Sequence, residues 1–203
     1  MISLDEDYIG HADDAIIVHG LKVCGGIVAR LSNNHLLGAH FTNTTHSAII
    51  LTGCTYLMEH WAAGGTVREL FWVWNQIDWE GRQDKYNNAT VLLDELKTMF
   101  RFAGPLWVYD KNKIANSVDL KITSSAGLYY RKTPDPDPTE IRPTTDVKRV
   151  YVPSRTVMNG RSQPLANMAI PLVVDLSLPI YPHKVQTNDS GWSAFSQGQM
   201  VPV

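Results

Sequence analysis

The sequence predicts an α/β fold, a layered β-sandwich or mixed sheet with helices packed on one side. Three observations carry this expectation. Short apolar and β-branched runs recur between residues 15 and 51, broken by polar or glycine-rich turns. Two segments, 52–63 and 89–103, carry apolar residues at helical spacing. Each of those segments leads into another strand-like run, which alternates strand and helix along the chain.

Ala15–Val18 is a short apolar run that ends at His19-Gly20. Val23–Leu31 is a second, interrupted by Gly25-Gly26, and Leu36–Phe41 follows the polar turn Ser32-Asn33-Asn34. Two apolar runs around a short polar turn read as a hairpin. Residues 46–51 form another apolar run. In 52–63, Cys54, Leu57, Met58 and Trp61 recur at helical spacing, and Gly64-Gly65 stops the helix. Leu70–Trp74 is aromatic and β-branched, hence a strand. Asn87 or Asn88 is placed to cap the helix 89–103, with Leu92, Leu93, Leu96 and Phe100 on its buried stripe and Gly104-Pro105 as its end. Leu106–Tyr109, Val118–Thr123 and Gly127–Arg131 complete the order β-β-β-α-β-α-β-β-β.

Residues 1–132 are expected to form the principal domain. Residues 133–203 begin with a linker carrying Pro134, Pro136, Pro138 and Pro143. They continue with strand-like runs at Val147–Val152 and Ile170–Leu178 and end in a polar tail. The 203 residues, 44% of them hydrophobic, suffice for one sizeable core packed with this extension.

The net charge of -2 and the lack of a basic run weaken any electrostatic case for nucleic acid or an anionic membrane. No apolar run approaches the roughly 20 residues of a spanning helix. The acidic start, Asp5-Glu6-Asp7, is unlike a cleavable signal peptide. Two cysteines, Cys24 and Cys54, make no disulfide framework and suit a reducing compartment. The expectation is a cytoplasmic protein, or one exported without a cleavable signal to act in another cell's cytosol.

Cys24 and His40 are the residues with the clearest chemistry. They lie sixteen positions apart on what read as neighbouring strands. A thiol beside an imidazole is the minimum equipment for thiol-based acyl chemistry. Backbone N–H groups of Cys24, Gly25 and Gly26 are candidates for stabilising an oxyanion. Free cysteine is more often a small buried hydrophobe, and Cys54 fits that description on its helical stripe. Cys24 precedes a Gly-Gly pair, which marks a bulge or a close approach.

The stretch Val18-His19-Gly20-Leu21-Lys22-Val23-Cys24, followed by Leu37-Gly38-Ala39-His40-Phe41, resembles the chemotaxis receptor deamidase CheD. The same Cys-then-His layout occurs in the catalytic domains of cytotoxic necrotizing factor and Burkholderia lethal factor. The resemblance covers about residues 8–131, including the order of the helices and strands after His40. It implies a CheD-like fold and a Cys-His protein glutamine deamidase that needs no cofactor. Its substrate would be a protein bearing an exposed glutamine, and the chain would be a toxin or effector of that layout. The family's third member lies six residues before the cysteine, where Val18 stands and can offer its backbone carbonyl to His40. Transglutamination through the same thioester, and a non-enzymatic interaction module on the same fold, are the alternatives.

Among the other residues, His19 is an alternative base near Cys24. Thr42, followed by Asn43, Thr44 and Thr45, is placed to orient His40 or meet substrate, or to satisfy its own loop. His35, His40 and His46 are close in sequence, but no HExxH or CxxC pattern accompanies them, so no metal site is expected. Trp79 sits in an expected loop, Ile77-Asp78-Trp79-Glu80-Gly81, where an exposed ring can anchor a partner.

Overall fold

A computed structural model describes residues 1–4, 6, 8–43, 47–80, 89–125, 127–132, 141–142, 147–149, 183–184, 192–195 and 201–202. The elements in chain order begin with strands β1 (Ile2–Leu4), β2 (Tyr8–Ala12), β3 (Ala15–Leu21), β4 (Gly25–Leu31) and β5 (Leu36–Phe41). Helix α1 (Ser47–Tyr56) widens into a π-type turn at Leu57–Trp61. Then come β6 (Val67–Trp74), α2 (Gln76–Glu80), α3 (Ala89–Met99) and β7 (Leu106–Asp110). A 3-10 turn (Lys111–Lys113) leads to β8 (Val118–Thr123) and β9 (Leu128–Lys132). The remaining strands are short: β10 (Ile141–Arg142), β11 (Val147–Arg149), β12 (His183–Lys184), β13 (Ser193–Ala194) and β14 (Val201–Pro202).

Two sheets and a helical layer result, a β-rich, sandwich-like α/β arrangement. One sheet has the order β1-β3-β8-β9-β13 and the other β11-β2-β5-β4-β6-β7-β14, while β10 pairs with β12 separately. Both sheets are mixed: β1–β3 and β6–β7 are parallel, and the other pairs are antiparallel. A parallel pair needs a long crossover, and residues 75–105, with α2 and α3, supply it between β6 and β7.

Strand alternation divides the core in two. Ile27, Ala29 and Leu31 of β4, with Phe41 and Trp72, face Cys54, Leu57, Leu92, Leu93, Leu96 and Phe100 of the helical layer. Val28, Leu36, Phe71 and Val73 face Leu4, Ile16, Val18, Leu120 and Ile122 of the other sheet. Each such side chain removed from water is worth roughly 1.5–3 kcal/mol. Cys54 belongs to the helix-side core, and burial pushes its thiol well above the usual cysteine range.

All nine expected elements of residues 15–132 are present; Leu36–Phe41 and Val118–Thr123 keep their bounds and the others shift. The first helix begins at Ser47 rather than 52, so most of the apolar run 46–51 is helical. The second ends at Met99. Arg101 adopts a left-handed φ of 51°, the Arg101 N–H donates to Thr98 O at 3.0 Å, and the Phe102 N–H donates to Lys97 O at 2.9 Å. This pair of bonds closes the helix before Gly104-Pro105 is reached. β1, β2 and α2 were not expected, and Trp79 lies in α2 rather than in a loop. The caps Asn87 and Asn88, the proline residues of the linker and the run Ile170–Leu178 lie outside the described residues, as do residues 150–152 of the run that β11 begins.

The Gly25-Gly26 pair has a packing cause on each face. A Cβ on Gly25 would meet the Trp72 ring at 2.5 Å and Trp79 at 3.0 Å. A Cβ on Gly26 would meet Val18 Cγ1 at 2.8 Å. Gly25→Ala is expected to destabilise the protein by roughly 1–3 kcal/mol, the usual cost of overpacking. Gly26→Ala should cost a similar amount, recovered in part when Val18→Ala is added. Urea unfolding of the three variants measures this, and an unchanged midpoint for Gly25→Ala would contradict the packing.

Candidate active site

Cys24 occupies the tight connection between β3 and β4, and His40 lies on β5. Gly26 pairs with His40 across β4 and β5. Cys24, two residues before Gly26, is thus the diagonal neighbour of His40, roughly 7–8 Å away between α-carbons. Both side chains face the gap between the two sheets. Cys24 packs with Leu4, Val18 and Val28, and Gly38, two residues before His40, lies against the side chains of Ile16 and Leu4. Neither Cys24 nor His40 has any solvent-exposed surface.

Each has a recorded partner from the N-terminal segment. The His40 Nδ1–H donates to the Leu4 carbonyl at 3.0 Å. That bond fixes the ring and, in the neutral imidazole, leaves the acceptor lone pair on Nε2. The Cys24 Sγ–H donates to Glu6 Oε1 at 3.3 Å. Glu6 is exposed, so its carboxylate stands between the buried sulfur and water.

The connection is held by two side chains from beyond β6. Asn75 Nδ2 donates to Lys22 O at 3.3 Å, and Trp79 Nε1 donates to Val23 O at 3.1 Å. Among the described residues no peptide bond is cis. In a trans peptide the N–H points opposite to the C=O, so the Cys24 amide points away from Trp79. Trp79 belongs to the helix-side core. Gly25 differs: it pairs with Phe41 and Trp74, and its N–H lies in the sheet plane, aimed at a neighbouring strand.

Lys111, buried at the end of β7, is within electrostatic reach of Cys24. Its Nζ donates to Asn112 Oδ1 and to Asn116 O, each at 2.7 Å. Burial lowers its affinity for a proton; Asp110, Asp78 and Cys24 oppose that, Lys22 adds to it, and the ammonium ends below the ordinary lysine range.

Three sequence expectations change. Leu4, not Val18, supplies the carbonyl on His40 Nδ1; Val18 contributes its side chain, packed onto Gly26. Trp79 is a buried ring, edge-on to Trp72 at 5.0 Å between centroids, and no partner-facing anchor. Of the bulge or close approach expected at the glycines beside Cys24, the structure has the close approach, made by Trp72, Trp79 and Val18. Thr42 follows β5, half-buried. Leu4, Glu6 and Lys111 carried no local signal, because an acidic start and a lone lysine acquire meaning only through long-range contact. Among the described residues, no group of three His, Cys, Asp or Glu side chains is placed to hold a metal ion.

His19 is engaged elsewhere. At the register shift in β3, its Nδ1 lies 2.9 Å from Asp119 Oδ1. The same carboxylate accepts the Gly20 N–H at 2.9 Å and the Arg131 Nε–H at 2.9 Å. Burial pushes the Asp119 carboxyl up, but the His19 hydrogen bond and charge, the Gly20 N–H and Arg131 outweigh it and hold the carboxyl below its usual range.

A lowered carboxyl binds its proton less readily folded than unfolded, so its contribution is present above the unfolded carboxyl value and lost as pH falls through the folded one. Asp119→Ala should therefore cost about 3–5 kcal/mol near neutral pH, because it leaves the buried Arg131 uncompensated. The gap between variant and parent should shrink below about pH 4. Denaturant titrations at several pH values read this; a constant gap down to acid pH would contradict it. Comparison with protein-family models, curated proteins and solved structures found no match.

Proposed function

We propose that this chain is a Cys-His protein glutamine deamidase with a CheD-like fold, acting on an exposed glutamine of a folded protein. The observation that carries the reading is the β4–β5 register, which sets Cys24 and His40 as diagonal neighbours on one sheet face. The Leu4 carbonyl on Nδ1 supports it, since an acid-base imidazole needs an orienting partner.

The reaction follows from these groups. His40 takes the Cys24 proton, and the thiolate attacks the side-chain amide carbon, forming the S–C bond. The Cys24 N–H, which points away from Trp79, is the candidate donor to the oxyanion. His40 returns the proton to nitrogen as the C–N bond breaks, and ammonia leaves. Water, deprotonated by His40, then cleaves the thioester, yields the glutamate side chain and restores the thiol. As the thiol gives up its proton, its hydrogen bond to Glu6 is released while the carboxylate stays beside the sulfur. Such an enzyme suits a toxin or effector working in a cytosol, its own or a target cell's.

A second reading, a non-enzymatic interaction module, is favoured by the complete burial of Cys24 and His40. Incubation with a cytosolic protein mixture, read by peptide mass spectrometry, separates the two. The deamidase reading expects glutamine-to-glutamate conversion at defined sites, reduced at least about a thousandfold by Cys24→Ser or His40→Ala. Conversion unaffected by Cys24→Ser rejects the assignment, and no conversion by the parent chain supports the module. A labelled primary amine reports transglutamination by its incorporation.

A further inference from the structure

We infer that Glu6 is the residue that makes this site select a primary carboxamide and reject a carboxylate. This deepens the deamidase reading and rests on it. Glu6 Oε1 lies 3.3 Å from Cys24 Sγ, on the solvent side of a sulfur that is itself fully buried. Any group whose carbon approaches that sulfur from solvent brings its substituents beside Oε1. An ionised carboxylate only accepts hydrogen bonds. An amide –NH2 offers it two donors, and can take over the place the thiol proton holds at rest. A substrate carboxylate offers no donor and brings a second negative charge into contact with Glu6, which is unfavourable.

Among the described residues, the surrounding charges do not cancel this. Lys111 is the nearby cation, but its Nζ is committed to Asn112 Oδ1 and Asn116 O within its own turn, and Asp110 and Asp78 lie close to it. Lys22 is exposed on the connection before Cys24. His40 faces the same gap, with its Nδ1–H on the Leu4 carbonyl. Glu6 accepts the hydrogen bond of the thiol directly. The consequence for the reaction is directional: glutamine is admitted with its –NH2 on Glu6, and the glutamate product, carrying a charge of the same sign as Glu6, is expelled.

Iodoacetamide and iodoacetate test this without a substrate, because they differ only in amide against carboxylate. Each forms a thioether as the sulfur displaces iodide and the thiol proton passes to solvent. The full-length chain is treated with each at neutral pH, and modification of Cys24, resolved from Cys54 by peptide mass spectrometry, gives a rate ratio. The ratio should exceed that of a short cysteine peptide by about tenfold or more. Glu6→Gln should bring it down to the peptide value, and Glu6→Asp, which keeps the charge, should retain most of it. A parent ratio equal to the peptide's, a ratio unchanged in Glu6→Gln, an Asp variant behaving as Gln, or no reaction of Cys24 with either reagent would each overturn the inference. Failure of the deamidase reading shows separately, as conversion that survives Cys24→Ser.

Discussion

Contact of the Trp72 and Trp79 rings with the backbone at Gly25 fixes much of this molecule. β4 lies between β5 and β6 in the larger sheet, and its first two residues carry no side chains. On one face the indoles come down onto Gly25; on the other, Val18 comes down onto Gly26. The helical layer and the second sheet are thereby brought close to the same point of the backbone. The Trp79 N–H, bonded to Val23 O, holds the peptide that leads into Cys24. Packing and polar geometry are set by one ring, which is why close packing of this kind transmits small changes over several residues.

The other determinant is the N-terminal segment. Leu4 and Glu6 are two residues apart, and one holds the imidazole while the other holds the thiol. β1, which carries Leu4, has three residues and pairs in parallel with β3. The chemistry is thus assembled from three separate stretches of chain: residues 2–6, the β3–β4 connection, and β5. Buried polar groups are stable only when satisfied, and this segment supplies a partner to each of the two.

The hairpin that carries Cys24 and His40 was legible because its signals are local: Leu36–Phe41 after Ser32-Asn33-Asn34, and glycines next to the cysteine. β1 and β2 were not legible. Ile2–Leu4 is too short to show a period, and Gly10 and His11 interrupt Tyr8–Ala12; both are strands because β3 and β5 offer ladders to them. Helix α3 ends early because Arg101 accepts a left-handed conformation usually left to glycine, a choice no propensity forecasts. Trp79 looked like a loop residue because its partner, Gly25, lies more than fifty positions away in sequence. Val18 stood at the expected distance from Cys24, but its carbonyl is not the one on His40; the parallel β1 brings that of Leu4 there.

The late strands have a consequence of another kind. β11 lies beyond β2 and β14 beyond β7, so both flanks of the larger sheet are completed by residues from the last third of the chain. β13 does the same beside β9 in the smaller sheet. Until those short strands arrive, β2, β7 and β9 present open rows of main-chain donors and acceptors, the template on which sheets from different molecules fuse. The short strands β11, β14 and β13 therefore cover part of the main-chain rows that β2, β7 and β9 would otherwise leave open.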